Sequence, residues 1–361
     1  SIEKKEQYFE VNFGEVNVRA IYSISGHKNY IIIELIDLKG ENIQAVRLLQ
    51  LYTKGLSIDG KYLAVRWNDK FAVSALGLSP RVNPSLGDGN SITATVYPEF
   101  GMIGEKIALV TIPSKKFLDT VQLVERDFGL PSPQIEGQWA KTSKNVETSY
   151  LFIDLTAWNV DEVIEYAKLG NFKYILIYAK TWSSSLGSYP INRKNFPLGE
   201  KSLKSVVDKI HNAGLKVGIH TLTSFISKND PLVHPIPDPR LLKDAEAVLA
   251  RDLDSTSAEI FAAKPLVGFP SGLSHYTCRG GLDIKIDNEI IQCRDSGVSN
   301  DKQLRKCKRG FAGTKPAHHR LGAKVYHLTE CYGSYLADLR TSLKEQISER
   351  IAGLINRLKL D

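Results

Sequence analysis

The sequence has no long apolar run. No stretch approaches the roughly 18 apolar residues that indicate a membrane-spanning helix, and the chain opens on Ser-Ile-Glu-Lys-Lys, without an initiator methionine or an apolar signal core. We therefore expect no membrane span, and we expect a targeting segment to be absent or already removed. With 42% hydrophobic and 24% charged residues, the composition is typical of a globular protein long enough for two cores.

Blocks of basic residues are also missing, although the formal net charge is +7. Lysine and arginine are scattered and no nucleic-acid-binding motif is visible, so we expect no nucleic-acid partner. The charge could favour an acidic substrate, such as a glycan with uronate or sulfate groups. Scattered, solvated lysines are the alternative explanation and the one that we favour.

Cysteine is scarce, and all four cysteines fall within residues 225–333: Cys278, Cys293, Cys307 and Cys331. The same segment contains His275, His318, His319 and His327. No Cys-x-x-Cys or His-x₃-His spacing occurs, so we predict no metal site and no cofactor. Cys293 and Cys307 lie on the two arms of a predicted hairpin and could form a disulfide. An even number of cysteines then favours a secreted, periplasmic or cell-surface location, whereas four reduced, buried thiols are the alternative.

Residues 1–113 read as an antiparallel β-sandwich. Short runs rich in β-branched and aromatic residues, separated by Gly, Asn or Pro turns, occur at 16–23, 30–37, 62–66, 91–97 and 106–112. We expect this domain to brace its neighbour, and we expect Trp67 to be a core residue rather than a sugar contact. Residues 114–148 follow as a linker helix and connector.

From residue 149 the pattern alternates between strand and helix. Residues 149–224 supply strands that end near 154, 178 and 220, with helices between them, and this alternation predicts parallel strands. Residues 334–361 read as a further helix. These three units are fewer than the eight of a TIM barrel, so we expect a continuation or a second chain to complete it. Between them, residues 225–333 read as an inserted β-rich module with a strand at 283–293 that returns at 303–307. The predicted fold is therefore multidomain: an N-terminal antiparallel β-sandwich followed by a partial α/β TIM barrel that carries the inserted module.

Ligands of parallel sheets bind beyond the carboxyl ends of the strands. The residues there combine charged, imidazole and indole groups, which suit a polar ring with an apolar face. We predict that Trp182 stacks on a sugar, that Asp154 and His220 bond its hydroxyls, and that Lys180 or Arg193 reads an acidic group. Asp154 could instead cap a turn, His220 could be a core residue and Trp158 could pack under a helix. The complete candidate set is Asp154, Trp158, Tyr178, Lys180, Trp182, Arg193 and His220.

Two segments carry a resemblance to a known family. The Gly-Gln-Trp-Ala-Lys segment at 137–141 and the run His-Asn-Ala-Gly-Leu-Lys-Val-Gly-Ile-His at 211–220 resemble those of TIM-barrel glycoside hydrolases related to α-galactosidases, the melibiase-like group. The resemblance implies two catalytic carboxylates, with the nucleophile on a later strand that we do not find. It also implies that Asp154, a weak catalytic candidate, holds a sugar hydroxyl instead.

The module has a resemblance of its own. Its order of Arg-Gly, Gly-Thr, His and Gly over 309–322 resembles a small β-motif of virion and phage-tail proteins and of inserted enzyme modules. We predict a glycoside hydrolase, or its N-terminal portion, that acts on a polysaccharide or oligosaccharide substrate. The alternative is a non-catalytic glycan-binding protein or a surface or virion structural protein.

Overall fold

Two units make up the chain, Ser1–Glu147 and Thr148–Asp361. The structure, a computed structural model, describes residues 2–4, 8–270, 281–296 and 301–361. No helix in these ranges is both long and apolar enough to cross a membrane. The finer domain boundaries inferred from the sequence remain predictions.

The first unit is built from antiparallel strands. They are β1 (Ile2–Lys4), β2 (Tyr8–Phe13), β3 (Val18–Gly26), β4 (Tyr30–Lys39), β5 (Val46–Tyr52), β6 (Ile58–Gly60), β7 (Val65–Trp67), β8 (Phe71–Gly77), β9 (Val82–Gly87), β10 (Ser91–Val96), β11 (Lys106–Pro113), β12 (Gln134–Ile135) and β13 (Gln138–Trp139). An eight-stranded sheet has the order β1-β2-β3-β4-β11-β8-β7-β6, and β5-β10-β9 form a second sheet. The N-terminal region is thus rich in strands.

The large sheet is covered on both faces. One face of β4 and β11 packs toward the small sheet through Leu35 and Ile107. The opposite face packs through Ile32 and Val110 against helix α1 (Phe117–Asp127). Burial on both sides explains why these two strands are nearly continuous in apolar residues.

The second unit begins with a parallel sheet of three strands. These are β14 (Tyr150–Ile153), β15 (Tyr174–Ile177) and β16 (Lys216–Ile219), in the order β14-β15-β16. The helices are α2 (Val160–Leu169), the single turn α3 (Ala179–Trp182), α4 (Glu200–Asn212) and α5 (Leu343–Leu358). The apolar stripes of α2, α4 and α5 are buried in one core with the strands, as the 3.6-residue period of their sequences requires.

The prediction of a TIM barrel is wrong. Strands hold 36% of the residues and helices 21%, and the described residues contain several small sheets and no closed barrel. The parallel sheet stops at β16 because the chain then enters antiparallel sheets. The predicted helix over 334–361 begins only at Leu343, since Leu336 pairs with Phe225 as a strand residue. After α5, the carboxylate of Asp361 accepts the backbone N–H of Val217, at the edge of β16.

The remaining strands lie within residues 225–336, the predicted insert (225–333) and the three residues after it. They are β17 (Phe225–Ile226), β18 (Lys243–Val248), β19 (Ile260–Phe261), β20 (Asp283–Ile286), β21 (Glu289–Gln292), β22 (Gln303–Leu304), β23 (Lys324–Leu328), β24 (Glu330–Cys331) and β25 (Ser334–Leu336). Their sheets are β18-β23-β20-β21, β17-β25-β24 and β19-β22. The strand predicted over 283–293 is in fact a tight hairpin, because Asp287 adopts a positive φ of 48° and turns the chain between β20 and β21.

A disulfide links Cys293 and Cys307. The backbones of neighbouring Gln292 and Lys308 exchange hydrogen bonds of 3.0 and 2.7 Å, which brings the two cysteines opposite each other. Cys331 is also disulfide-bonded. Cys278 and His275 lie outside the described residues.

The Arg-Gly, Gly-Thr, His motif surrounds one buried carboxylate, that of Glu289. Arg309 donates to it through two nitrogens, at 2.9 and 2.7 Å, and the Nε2 of His319 lies 2.9 Å away. The backbone N–H groups of Gly310 and Ala317 add bonds of 2.8 and 3.0 Å. Burial would raise the pKa of Glu289, but these bonds outweigh it and lower that pKa to about 2. The motif therefore has a structural role: its residues donate the hydrogen bonds that hold the buried carboxylate of Glu289.

Candidate functional site

The carboxyl ends of the three parallel strands lie side by side. Ile153, Ile177 and Ile219 are in register. One residue further on, the N–H of Tyr178 donates to Ile153 at 3.1 Å, and the N–H of His220 donates to Ile177 at 2.9 Å. The register thus brings together Tyr178, His220 and Asp154, the residue that follows Ile153.

Three rings cover the face of the sheet at this end. The ring centroids of Phe152 and Tyr178 are 5.5 Å apart, and those of Phe152 and His220 are 5.1 Å apart. Tyr178 and His220 stack at 5.8 Å with an angle of 12° between their planes. Phe152 is 47% exposed, so the cluster presents an aromatic surface to solvent. Helices cover the other face of this sheet, through residues such as Ile153 and Ile177.

Asp154 adds an exposed carboxylate to this surface. Its Oδ1 accepts a short hydrogen bond from the hydroxyl of Thr181 in α3. Its backbone carbonyl accepts a bond of 3.1 Å from the side chain of Asn159. The bond from Thr181 orients the carboxylate, and the bond from Asn159 holds the backbone of Asp154.

Trp158 is the exposed indole of the site, with 74% of its surface accessible. It lies in a turn that Thr156 and Asn159 close, since the Oδ1 of Asn159 accepts both the N–H and the hydroxyl of Thr156. The hydroxyl oxygen of Thr156 accepts the N–H of Trp158 at 3.2 Å. The turn holds the ring away from the core, so the packing alternative considered for Trp158 does not apply.

Trp182 is not part of the exposed surface. It has no accessible surface, its ring stacks on Tyr189 at 5.3 Å, and its Nε1 donates to the carbonyl of His220 at 2.9 Å. The sugar-stacking role predicted for Trp182 therefore does not fit the structure. Trp182 instead supports the backbone that carries His220.

The loop around Trp182 is held by a buried carboxylate. Asp230 accepts hydrogen bonds from the hydroxyls of Ser185 and Ser188, at 2.6 and 2.9 Å. It also accepts the N–H of Ser188 at 3.1 Å and the N–H of Leu232 at 2.9 Å. This anchor is not apparent from the sequence, because Asp230 lies some 40 residues beyond the serines that it binds.

The two predicted cations are exposed. Lys180 lies in α3, directly after the strand end, and its carbonyl accepts a bond of 3.4 Å from Asn192. Arg193 lies beside Gly199, at the start of α4. The structure thus brings Asp154, Tyr178 and His220 together, whereas Arg193 lies beside the start of α4.

Three further observations describe the polar groups and the rings of the site. The described residues contain no group of three or more His, Cys, Asp or Glu side chains that could hold a metal ion. The Nδ1 of His220 is buried without a hydrogen-bond partner among these residues. Phe152 was not among the residues predicted from the sequence. Successive side chains of a strand point to opposite faces, so Phe152 lies on the face opposite that of Leu151 and Ile153, which the helices cover.

The sequence matches no family model and no curated protein. Several solved structures are similar to parts of the chain. An α-N-acetylgalactosaminidase from Bifidobacterium bifidum, in complex with GalNAc, is 12% identical with a TM-score of 0.43, over 65% of this chain and 52% of the other. An α-galactosidase from Thermus thermophilus is 12% identical with a TM-score of 0.35, over 66% and 53%.

A GH31 dextranase from Flavobacterium johnsoniae is 11% identical with a TM-score of 0.30, over 63% of this chain and 31% of the other. The chain spans about half the length of the first two structures. All three neighbours are glycoside hydrolases, but TM-scores this low carry no argument about this chain.

Proposed function

We propose that this chain forms the carbohydrate-binding part of a glycoside hydrolase, with the ligand at the carboxyl ends of β14, β15 and β16. One observation carries the proposal: an exposed indole, that of Trp158, and an aromatic surface lie at the same strand ends as the carboxylate of Asp154. Sugar rings have apolar faces that pack on aromatic rings and hydroxyls that need polar partners.

Each residue has a distinct part in this proposal. Trp158 packs against the face of a sugar ring, while Asp154, already oriented by Thr181, accepts a hydroxyl of the sugar. The exposed ammonium of Lys180 attracts an acidic group if the glycan carries one. The stacked rings of His220 and Tyr178 form the floor of the proposed binding site.

Hydrolysis of a glycosidic bond needs a second carboxylate. Among the described residues at the three strand ends, Asp154 is the only carboxylate. That observation favours a second candidate function, a glycan-binding protein without catalysis.

Glycan binding is the first measurement. The probes are α-galactosides, α-N-acetylgalactosaminides, dextran and one sulfated glycan, measured by calorimetry. We expect Trp158→Ala to weaken binding about fivefold, since an aromatic contact is worth about 1 kcal/mol. Tyr62→Ala is the control, because Tyr62 is a fully exposed aromatic residue of the first unit.

Three results decide between the functions. No binding to any probe, or equal losses in both variants, would overturn the proposed site. Binding together with release of reducing ends supports the hydrolase, and loss of that release in Asp154→Asn would assign the carboxylate to the reaction. Binding without hydrolysis supports the non-catalytic alternative.

We also propose a secreted, periplasmic or cell-surface location. The Cys293–Cys307 disulfide supports it, because disulfides persist in oxidising compartments. Alkylation of the denatured, unreduced protein should leave both cysteines unlabelled, whereas labelling of either one would count against this location.

A further inference from the structure

Lys228 lies between two buried carboxylates in the second unit. Its Nζ is 2.7 Å from Oδ2 of Asp283 and 2.7 Å from Oε2 of Glu330. The side chains of the three residues are 19%, 0% and 2% exposed. They come from distant parts of the sequence: Lys228 follows β17, Asp283 begins β20 and Glu330 begins β24.

Full ionisation of the three groups would leave an uncompensated negative charge in the interior, which is costly. Burial, followed by the charge of Asp283, raises the pKa of Glu330. Both carboxyl oxygens of Glu330 are buried and have no hydrogen-bond partner among the described residues, although Oε2 forms an ion pair with Nζ of Lys228. Glu330 thus differs from a carboxylate that is held by several donors, and its Oε2 lies within reach of a proton on Nζ of Lys228.

Aromatic rings surround the lysine. Its Nζ lies 5.2 Å from the ring centre of Phe311 and 5.1 Å from that of Tyr335. The hydroxyl of Tyr335 donates to Oδ2 of Asp283 at 2.6 Å, and Gln292 donates to Oδ1 at 3.1 Å. The two donors withdraw charge from the carboxyl group of Asp283, which favours attack at its Cγ atom.

Gly281 leaves space for the carboxyl group of Glu330. A Cβ atom at this position would lie 2.1 Å from Oε1 of Glu330, and the backbone has a φ of +87°. Any larger residue would displace Glu330 from Lys228. The absence of a side chain at Gly281 therefore lets the carboxyl group of Glu330 lie next to Lys228.

We propose that Lys228 and Asp283 form an intramolecular amide bond, and that Glu330 transfers the protons of this reaction. The ammonium proton of Lys228 passes to the Asp283 carboxyl group, Nζ then attacks Cγ of Asp283, and a C–N bond forms. Glu330 accepts a proton from Nζ and returns it to the departing hydroxyl, so the C–O bond breaks and one water molecule leaves. Glu330 ends in the protonation state in which it began, and no oxidant or other reactant is needed.

Proximity and charge both favour this step. The amine and the carboxyl group are held in contact by the fold, which replaces a bimolecular encounter. The product replaces a buried cation and a buried anion with a neutral amide, so their desolvation cost disappears. The bond would link Lys228 covalently to a strand 55 residues further along the chain.

Mass spectrometry of the whole chain tests the proposal. After reduction and alkylation of the cysteines, we expect the protein to be lighter than its sequence by the mass of one water molecule. Trypsin should release residues 217–240 joined to residues 280–285, uncut after Lys228. Fragmentation of this branched peptide should place the link between Lys228 and Asp283.

Variants separate the roles of the groups. Lys228→Arg keeps a cation but should restore the full mass, and Glu330→Gln should greatly reduce the linked fraction. Lys285→Arg is the matched control, because Lys285 is another buried lysine of the same module and bonds to the carbonyl of Asp287 instead. This variant should retain the link.

The wild-type digest is decisive even if a variant fails to fold. A reduced chain of full mass, with an unbranched peptide ending at Lys228, would overturn the proposal and leave an ion pair. Loss of water at another position would overturn it as well. Neither result depends on glycan binding, so this test and that of the proposed function fail separately.

Discussion

Glu289 and Glu330 are both fully buried glutamates of the second unit, yet their surroundings differ. Glu289 accepts five hydrogen bonds, from Arg309, His319 and two backbone N–H groups. Glu330 accepts none from the described residues and shares one lysine with Asp283. The pKa of Glu289 is lowered to about 2, whereas burial raises the pKa of Glu330.

The difference shows how surroundings assign a role to a buried carboxylate. Donors that fill every lone pair stabilise the charge, and such a group supports the fold. A carboxyl group left without donors keeps the ability to exchange a proton, which is a property of reactive groups. Substitution and pH can test each half of this comparison.

The largest effect is expected from Glu289→Gln compared with Glu330→Gln. We expect the first to reduce the free energy of unfolding by about 3–5 kcal/mol, because Arg309 and His319 would remain buried without their partner. The second should cost under about 1 kcal/mol, because an amide removes an excess charge and the cation at position 228 still pairs with Asp283. Urea unfolding followed by circular dichroism measures both.

The reference protein for this pair should be Lys228→Arg, which cannot form the proposed amide, so that a covalent link does not enter the comparison. Equal losses in the two variants would contradict the distinction between the glutamates.

Acid should produce the next largest effect. The pKa of Glu289 falls from an ordinary 4.5 to about 2 on folding. Its contribution is therefore complete above about pH 4.5 and is lost as the pH falls toward 2, on the order of 3 kcal/mol. Unfolding free energies measured between pH 5 and pH 2.5 should show this slope, and Glu289→Gln should flatten it. An unchanged slope in the variant would refute the assignment.

A smaller effect is expected on the alkaline side, from His319. Burial lowers its pKa, but hydrogen bonds to Glu289 and Asp287 outweigh this and raise it above 6.5. Because the folded pKa is the higher one, this stabilisation is complete below about pH 6.5 and is lost as the pH rises through the folded value. NMR titration of the imidazole carbons gives the pKa directly, with His318, an exposed histidine, as the internal control. A value for His319 at or below that of His318 would count against the cluster.

The smallest effect should come from an exposed pair in the same module, Lys324 and Glu246, whose side chains are 54% and 45% exposed. Glu246→Gln is expected to change the free energy of unfolding by less than about 1 kcal/mol, since solvent screens such pairs. Urea unfolding in low and high salt checks this. A loss as large as that of Glu289→Gln would show that burial does not separate the two carboxylates.

Two tryptophans show what the sequence could and could not predict about the site. The distance of each from a strand end predicts that both Trp158 and Trp182 lie near the carboxyl ends of the sheet. Their exposure is not encoded in that spacing. Trp158 is held outward by a local turn, whereas Trp182 is covered by Tyr189, so only the fold distinguishes a ligand-facing ring from a core ring.

The buried clusters were beyond prediction for a related reason. Lys228, Asp283 and Glu330 are separated by 55 and 47 residues, and no local period or motif links them. The same holds for Asp230 and the serines of the loop that it anchors. Long-range contacts of this kind depend on how sheets are paired. The sequence predicted that Cys307 lies opposite Cys293, which the disulfide confirms, but it did not predict the hairpin within 283–292.

The sequence by itself determined the local elements: the β-rich first unit, the alternation of strand and helix that makes β14, β15 and β16 parallel, and the buried stripes of the helices. These follow from side-chain periods of 2 and 3.6 residues, which act over short distances. Only the tertiary structure decided that the described parallel strands do not close into a barrel, that Trp182 is buried, and that Lys228 meets two carboxylates. Those outcomes depend on which distant strands pair and on what their packing excludes from water.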